Sequence, residues 1–97
     1  MAARRRYLVT YDIRHAKRLR RVHKTMKAYG DPLQYSVFLC DLSAMERLAM
    51  TDELSGHMTL DTDSVVIVDL GATDLTRFEF IGTRNLEPPP EPGATIV

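Results

Sequence analysis

Tyr7-Leu8-Val9-Thr10-Tyr11-Asp12-Ile13 runs directly into Arg14-His15-Ala16-Lys17-Arg18-Leu19-Arg20-Arg21-Val22-His23-Lys24-Thr25-Met26-Lys27-Ala28-Tyr29. The first stretch is rich in β-branched and aromatic residues, the composition of a strand. The second carries Leu19, Val22, Met26 and Tyr29 on one face when turned at about 100° per residue, the period of an amphipathic helix. Gly30 stops that helix, and Pro32 follows just beyond. The spacing therefore predicts a strand over 7–13 and a helix over 15–29. The helix packs its apolar face on a sheet and turns the opposite half outward. Arg14, Lys17, Arg18, Arg20, Arg21, Lys24 and Lys27 cover that outer half.

Charge is distributed unevenly along the chain. Of the 13 Lys and Arg, 10 lie in the first 30 residues, where Asp12 is the only acid. The first third carries a formal +9 and the rest a formal −9, although the net charge is zero. Seven cations on one helix face, with no Glu one turn away to neutralise them, repel one another. A polyanion relieves that repulsion, so the face points to nucleic-acid phosphates. No base-reading motif accompanies it, which suits contacts that position a duplex without reading its sequence.

Further along, Leu33-Gln34-Tyr35-Ser36-Val37-Phe38-Leu39-Cys40-Asp41 reads as extended, either one strand or two short strands bent near Ser36. Ser43 with Glu46 three residues on forms a capping box. It opens a second helix over about 44–54, with Met45, Leu48 and Ala49 expected inward and Gly56 ending it. Asp63 to Leu70 reads as a strand, and its Val65-Val66-Ile67-Val68 core, apolar on both faces, predicts a central, covered position. Phe78 to Ile81 reads as a last short strand. Residues 1–86 form one domain on this reading. Residues 87–97, opening Glu-Pro-Pro-Pro-Glu-Pro-Gly, read as an extended tail ending in a few strand formers. Strand, helix, extended segment, helix, strand is a ferredoxin-like α+β order, βαββαβ, with an extra C-terminal strand.

At 97 residues with 44% hydrophobic and 27% charged side chains, the composition is that of an ordinary single domain. So small a core favours association with a second copy. Cys40 is the only cysteine, which excludes an internal disulfide and suits a reducing cytoplasm. No apolar run approaches the roughly 20 residues of a membrane span. His15, His23 and His57 lack zinc-like spacing with Cys40 and read as solvated surface histidines.

Asp12 is the residue in which chemistry concentrates. It ends a strand and sits alone among cations. The structural reading is an acid that caps the first helix or pairs with Arg14. The chemical reading is an oxygen ligand for magnesium or manganese. One carboxylate is a thin site for such ions, and two copies of Asp12 meeting across a dimer axis make a credible one. Asp61 and Asp63 could also bind a cation, although acids of a solvated loop before a strand are the favoured reading.

Tyr-Leu-Val-Thr-Tyr-Asp-Ile (7–13), Ala-Tyr-Gly (28–30), Gln-Tyr-Ser-Val-Phe (34–38) and Asp-Ser-Val-Val-Ile (63–67) occur in the order and spacing of the Cas-two family. These are small CRISPR-associated proteins of the spacer-acquisition machinery, and the resemblance spans about residues 6–82. It implies a cytoplasmic homodimer whose last strand crosses to the partner's sheet, with Asp12 facing its copy across the two-fold axis. It also implies two activities. One is metal-dependent cleavage of RNA or DNA, for which Tyr11, Asp12, Arg21 and Phe38 match positions the family associates with nuclease activity. The other is a scaffold role, bridging dimers of the CRISPR integrase and supporting the duplex prespacer. Asp31-Pro32-Leu33 and Leu19 stand where some family members carry basic residues, and both differences favour the scaffold. A reading in another class is a toxin-like ribonuclease of the same fold, as in the virulence-associated D proteins.

Overall fold

Strand β1 (Arg5–Asp12) occupies the middle of the sheet, as its alternation of apolar residues requires. The computed structural model describes residues 3–75, 77–84 and 86–87; most of the Pro-rich tail, with the strand formers at its end, lies outside them. From β1 the chain continues through α1 (Ala16–Tyr29), β2 (Asp31–Gln34), β3 (Val37–Leu42), α2 (Ala44–His57) and β4 (Ser64–Ala72). The sheet order is β2-β3-β1-β4, and every neighbouring pair is antiparallel. Each helix thus joins two parallel strands with a third between them, which is the ferredoxin-like split arrangement.

Alternation along the strands makes one face of the sheet the core. Tyr7, Val9 and Tyr11 of β1 and Phe38, Cys40 and Leu42 of β3 are buried there, against Val22 and Met26 of α1 and Met50 and Leu54 of α2. Leu19 and Tyr29 pack at the margin, so the apolar face expected of α1 is the one it uses. The extended segment is two strands joined by a turn at Tyr35–Ser36. Pro32 is tolerated because β2 lies at the sheet edge. Gly30 is required by space, because a Cβ there would sit 2.5 Å from Cys40 Sγ and 2.6 Å from the Leu39 carbonyl oxygen.

Three expectations are corrected. Helix α2 has the expected Ser43–Glu46 capping box but runs on through Gly56 to His57. It turns Met50 and Leu54 inward, leaving Met45 83% and Leu48 62% exposed and Ala49 exposed as well. Its sequence carries two apolar stripes, and the sheet takes the one extending to the C-terminal turn. Second, β4 is an edge strand rather than a central one. Val65 and Ile67 pack toward the helices, while Val66, Val68 and Leu70 line the sheet's open face. Third, Phe78–Ile81 forms no strand among the described residues, and its apolar side chains are exposed. An extended segment becomes a strand only when another edge supplies its hydrogen-bond partners.

Candidate functional site

Two of the candidate residues, Tyr11 and Asp12, lie where β1 gives way to α1. Alternation sends Tyr11 into the core and Asp12 outward. Asp12 is open to solvent, and its Oδ2 lies 3.0 Å from Arg14 Nη2. It therefore pairs with Arg14, while the cap of α1 is His15, whose side chain accepts from the Lys17 N–H at 3.3 Å. In one chain this is a single exposed carboxylate with a guanidinium beside it. No group of three or more His, Cys, Asp or Glu among the described residues is placed to hold a metal. The residues of one chain do not fit a magnesium centre, which needs further oxygen ligands.

Asp63 behaves in the opposite way to its expected solvated role. Its side chain is fully buried and accepts from five donors. Arg18 donates from Nε at 2.8 Å and Nη2 at 3.2 Å, the Arg14 and Thr59 N–H groups each donate at 2.9 Å, and the Thr62 hydroxyl donates at 3.3 Å. The Arg18 hydrogen bonds, joined by those of the two backbone amides, hold the Asp63 carboxyl well below the usual carboxylate range. This knot fixes the backbone just after Asp12 to the loop before β4. Arg18 is consequently not a free phosphate contact, and Arg14 is shared with Asp12. Asp61 is exposed, as expected.

Lys17, Arg20, Arg21, Lys24 and Lys27 remain without an acidic partner among the described residues. All five lie at least partly open to solvent on α1. The seven-cation face of the sequence is thus a five-cation face with two cations tied down at its N-terminal end.

Tyr11 and Phe38 are brought together inside the sheet, with ring centroids 6.3 Å apart. The Tyr11 N–H donates to the Ser36 carbonyl at 3.2 Å and its hydroxyl to the Tyr35 carbonyl at 2.8 Å, so this residue pins the β2–β3 turn twice. His23 joins them, with Nδ1 2.9 Å from the Tyr11 hydroxyl and 3.1 Å from the Tyr35 carbonyl. Because the hydroxyl proton serves the carbonyl, the network assigns the imidazole proton to Nδ1 and leaves Nε2 as the acceptor. The His23 ring stacks on Tyr35 at 4.0 Å and meets Phe38 edge-on at 5.5 Å. Burial lowers the His23 pKa, and nearby Lys27 adds to that, so the ring is neutral at pH 7. Burial raises the Tyr11 phenol far above its ordinary value and pushes the Cys40 thiol up to about 11, which leaves Cys40 inert.

His23 is therefore a built-in part of the turn and not a solvated histidine. Its place was readable from the helical period, which sets it beside Leu19 and Met26. Asp63 left only a weak signal, an acid directly preceding an apolar strand. The residues implied for nuclease activity do not form one cluster. Tyr11 and Phe38 are together, Asp12 points the other way, and Arg21 lies on the outer part of α1 toward α2.

The family profile for CRISPR associated protein Cas2 matches residues 5–78. The chain is 46% identical over 68 residues to the CRISPR-associated endoribonuclease Cas2 1 of Rhodospirillum rubrum, covering 70% of this chain and 67% of that one. It is 34% identical over 90 residues to the CRISPR-associated endonuclease Cas2 of Halalkalibacterium halodurans, covering 84% and 94%. The crystal structure of Streptococcus pyogenes Cas2 superposes with a TM-score of 0.70 at 34% identity, over 79% of this chain and 99% of that one. With the split βαββαβ fold and its Tyr11–Asp12 strand end in place, these matches assign the chain to the CRISPR associated protein Cas2 family.

Proposed function

We propose that this protein is a homodimeric scaffold of CRISPR spacer acquisition, holding duplex DNA through α1 and bridging dimers of the integrase. The observation that carries this reading is the row Lys17, Arg20, Arg21, Lys24 and Lys27, open to solvent and without acidic partners among the described residues. Such a row displaces counterions from a phosphate backbone whatever its sequence. The dimer is supported by the open sheet face, where Val66, Val68 and Leu70 are 54%, 41% and 38% exposed on an edge strand. A stripe of that kind on one edge invites a second sheet. Family membership favours this reading over the toxin-like ribonuclease.

Nuclease activity is the second reading, favoured by the endoribonuclease and endonuclease names of the relatives. It needs a second copy, because one chain offers only Asp12. Two Asp12 carboxylates would hold magnesium or manganese, which supplies an activated water and neutralises phosphodiester charge. Around it, Arg14 would meet phosphate oxygens, and Tyr11 with Phe38 would hold the strand end in place from behind.

The test is duplex binding measured against salt. The slope of log affinity against log salt becomes shallower by about 0.9 for every phosphate the protein no longer neutralises. Arg20→Glu with Lys24→Glu should weaken binding at low salt and flatten the slope. Arg18→Met should leave the slope unchanged, because Arg18 is held by Asp63. An unaltered slope in the double variant would overturn the phosphate-contact reading.

A further inference from the structure

The helix layer contains a cleft that shares only Arg21 and Lys24 with the duplex-facing row of α1. It lies between the second half of α1 and the C-terminal part of α2, has a volume of about 420 Å³, and is lined by Arg21, Lys24, Thr25, Ala28, Glu53 and His57. Small-ligand sites run from about 300 to 1,000 Å³, so the cleft has room for a ligand of nucleotide size. Four of its lining residues, Arg21, Lys24, Thr25 and His57, carry hydrogen-bond donors. Arg21 and Lys24 have no acidic partner among the described residues, and His57 reaches the cleft from α2. Thr25 is only 8% exposed, yet its hydroxyl has no hydrogen-bond partner among the described residues. Buried hydroxyls are normally partnered, so an orphaned one in a cleft wall marks a place for a ligand atom. Glu53 is the one carboxylate of the lining. Its Oε1 takes the Tyr29 hydroxyl at 3.0 Å, and Oε2 is left free among the described residues.

A simple anion would use the donors and be repelled by Glu53. A molecule carrying both a phosphate and neighbouring hydroxyls would use all of them. We propose that this cleft binds a ribonucleotide. Arg21 and Lys24 hold the phosphate, Thr25 and His57 donate to it, and Glu53 accepts from the ribose hydroxyls. The site shares Arg21 and Lys24 with the five-cation row and is told apart from duplex holding by Thr25, Glu53 and His57, which lie outside that row.

Calorimetric titration of the intact protein tests it with adenosine 5′-monophosphate, its 2′,3′-dideoxy analogue and inorganic phosphate. The ribonucleotide should bind saturably and about tenfold tighter than the dideoxy analogue, the equivalent of about 1.4 kcal/mol for a hydroxyl bond to a carboxylate. Glu53→Ala, which removes the acceptor, should erase that preference without lowering phosphate affinity. Thr25→Val and His57→Asn should weaken nucleotide binding while leaving the salt slope for duplex DNA unchanged. If Thr25→Val fails to fold, Glu53→Ala at an exposed position still decides. A 5′-phosphorylated oligoribonucleotide that competes with the mononucleotide at equal or greater affinity assigns the site to a strand end, and weaker competition assigns it to free nucleotide. Equal affinity for ribo and dideoxy forms, binding that never saturates, or a Glu53→Ala variant that still prefers the ribose would overturn it.

Discussion

Removing the Asp63 carboxylate should damage this fold more than any other loss of a single charge. Three of its bonds come from the Arg14 N–H, the Thr59 N–H and the Thr62 hydroxyl, and two from an Arg18 side chain that is itself three-quarters buried. Asp63→Ala leaves those donors facing a small cavity. Breaking a buried ion pair from one side costs about 3–5 kcal/mol, because the remaining charge stays desolvated. Domains of this size have about 5–15 kcal/mol of total stability, so the loss is a large share of it. At about 4–8 °C per kcal/mol, the melting temperature should fall by at least about 12 °C. Wild type and variant need equal protein concentration, since self-association shifts melting.

The pH dependence follows from the depressed carboxyl. A group whose folded pKa lies below its unfolded value stabilises the fold fully above the unfolded value, near pH 3.9, and that stabilisation is lost as pH falls toward the folded one. The advantage of wild type over Asp63→Asn, which keeps the shape but not the charge, should therefore be constant near neutrality. Below about pH 3.9 it should shrink by about 1.4 kcal/mol per pH unit. Circular dichroism with urea at neutral and acid pH measures it. A variant that melts with wild type, or a gap that stays constant into the acid range, would refute the buried clamp.

Two further outcomes are expected. Gly30→Ala should cost about 1–3 kcal/mol by overpacking, and adding Cys40→Ala should recover only part, because the Leu39 carbonyl oxygen still crowds the new methyl at 2.6 Å; unchanged melting of the single variant would contradict the close approach. Manganese should raise the melting temperature of wild type and not of Asp12→Asn if two carboxylates meet across a dimer axis, and an equal response from both would remove the paired-metal reading.

The sequence was most legible where one periodicity dominated. β1 alternates cleanly, and α1 has a single apolar stripe, so both elements and their inward faces could be assigned. Helix α2 has two stripes, and periodicity alone cannot choose between Met45–Leu48 and Met50–Leu54; the packing against β1 and β3 chooses. β4 is apolar on both faces, which equally describes a covered central strand and an edge strand whose second face awaits another sheet. The site was less legible for a related reason. Asp63 and Arg18 are 45 positions apart, and nothing local in either segment announces the pairing. Charge pattern alone makes Arg18 one of seven equivalents, whereas tertiary contact converts it into part of the core's boundary.

Strand alternation also bears on how the two proposed activities divide. Tyr11 and Asp12 are adjacent, so they lie on opposite faces of β1 and cannot converge on one substrate atom within a chain. The Tyr11 hydroxyl is already committed to the Tyr35 carbonyl, and its phenol is held far from ionisation by burial. A direct proton-transfer role for Tyr11 would cost the turn its anchor. Its contribution is better understood as holding the β1 end and the β2–β3 turn in register, with His23 of α1 bracing the turn from the helix. On the proposed nuclease reading, cleavage chemistry then falls to the outward Asp12, which needs a second copy beside it. The five-cation row of α1 needs neither Tyr11 nor Asp12 to meet a duplex. The two functions therefore use different residues, and loss of catalysis through Asp12 should leave DNA holding intact.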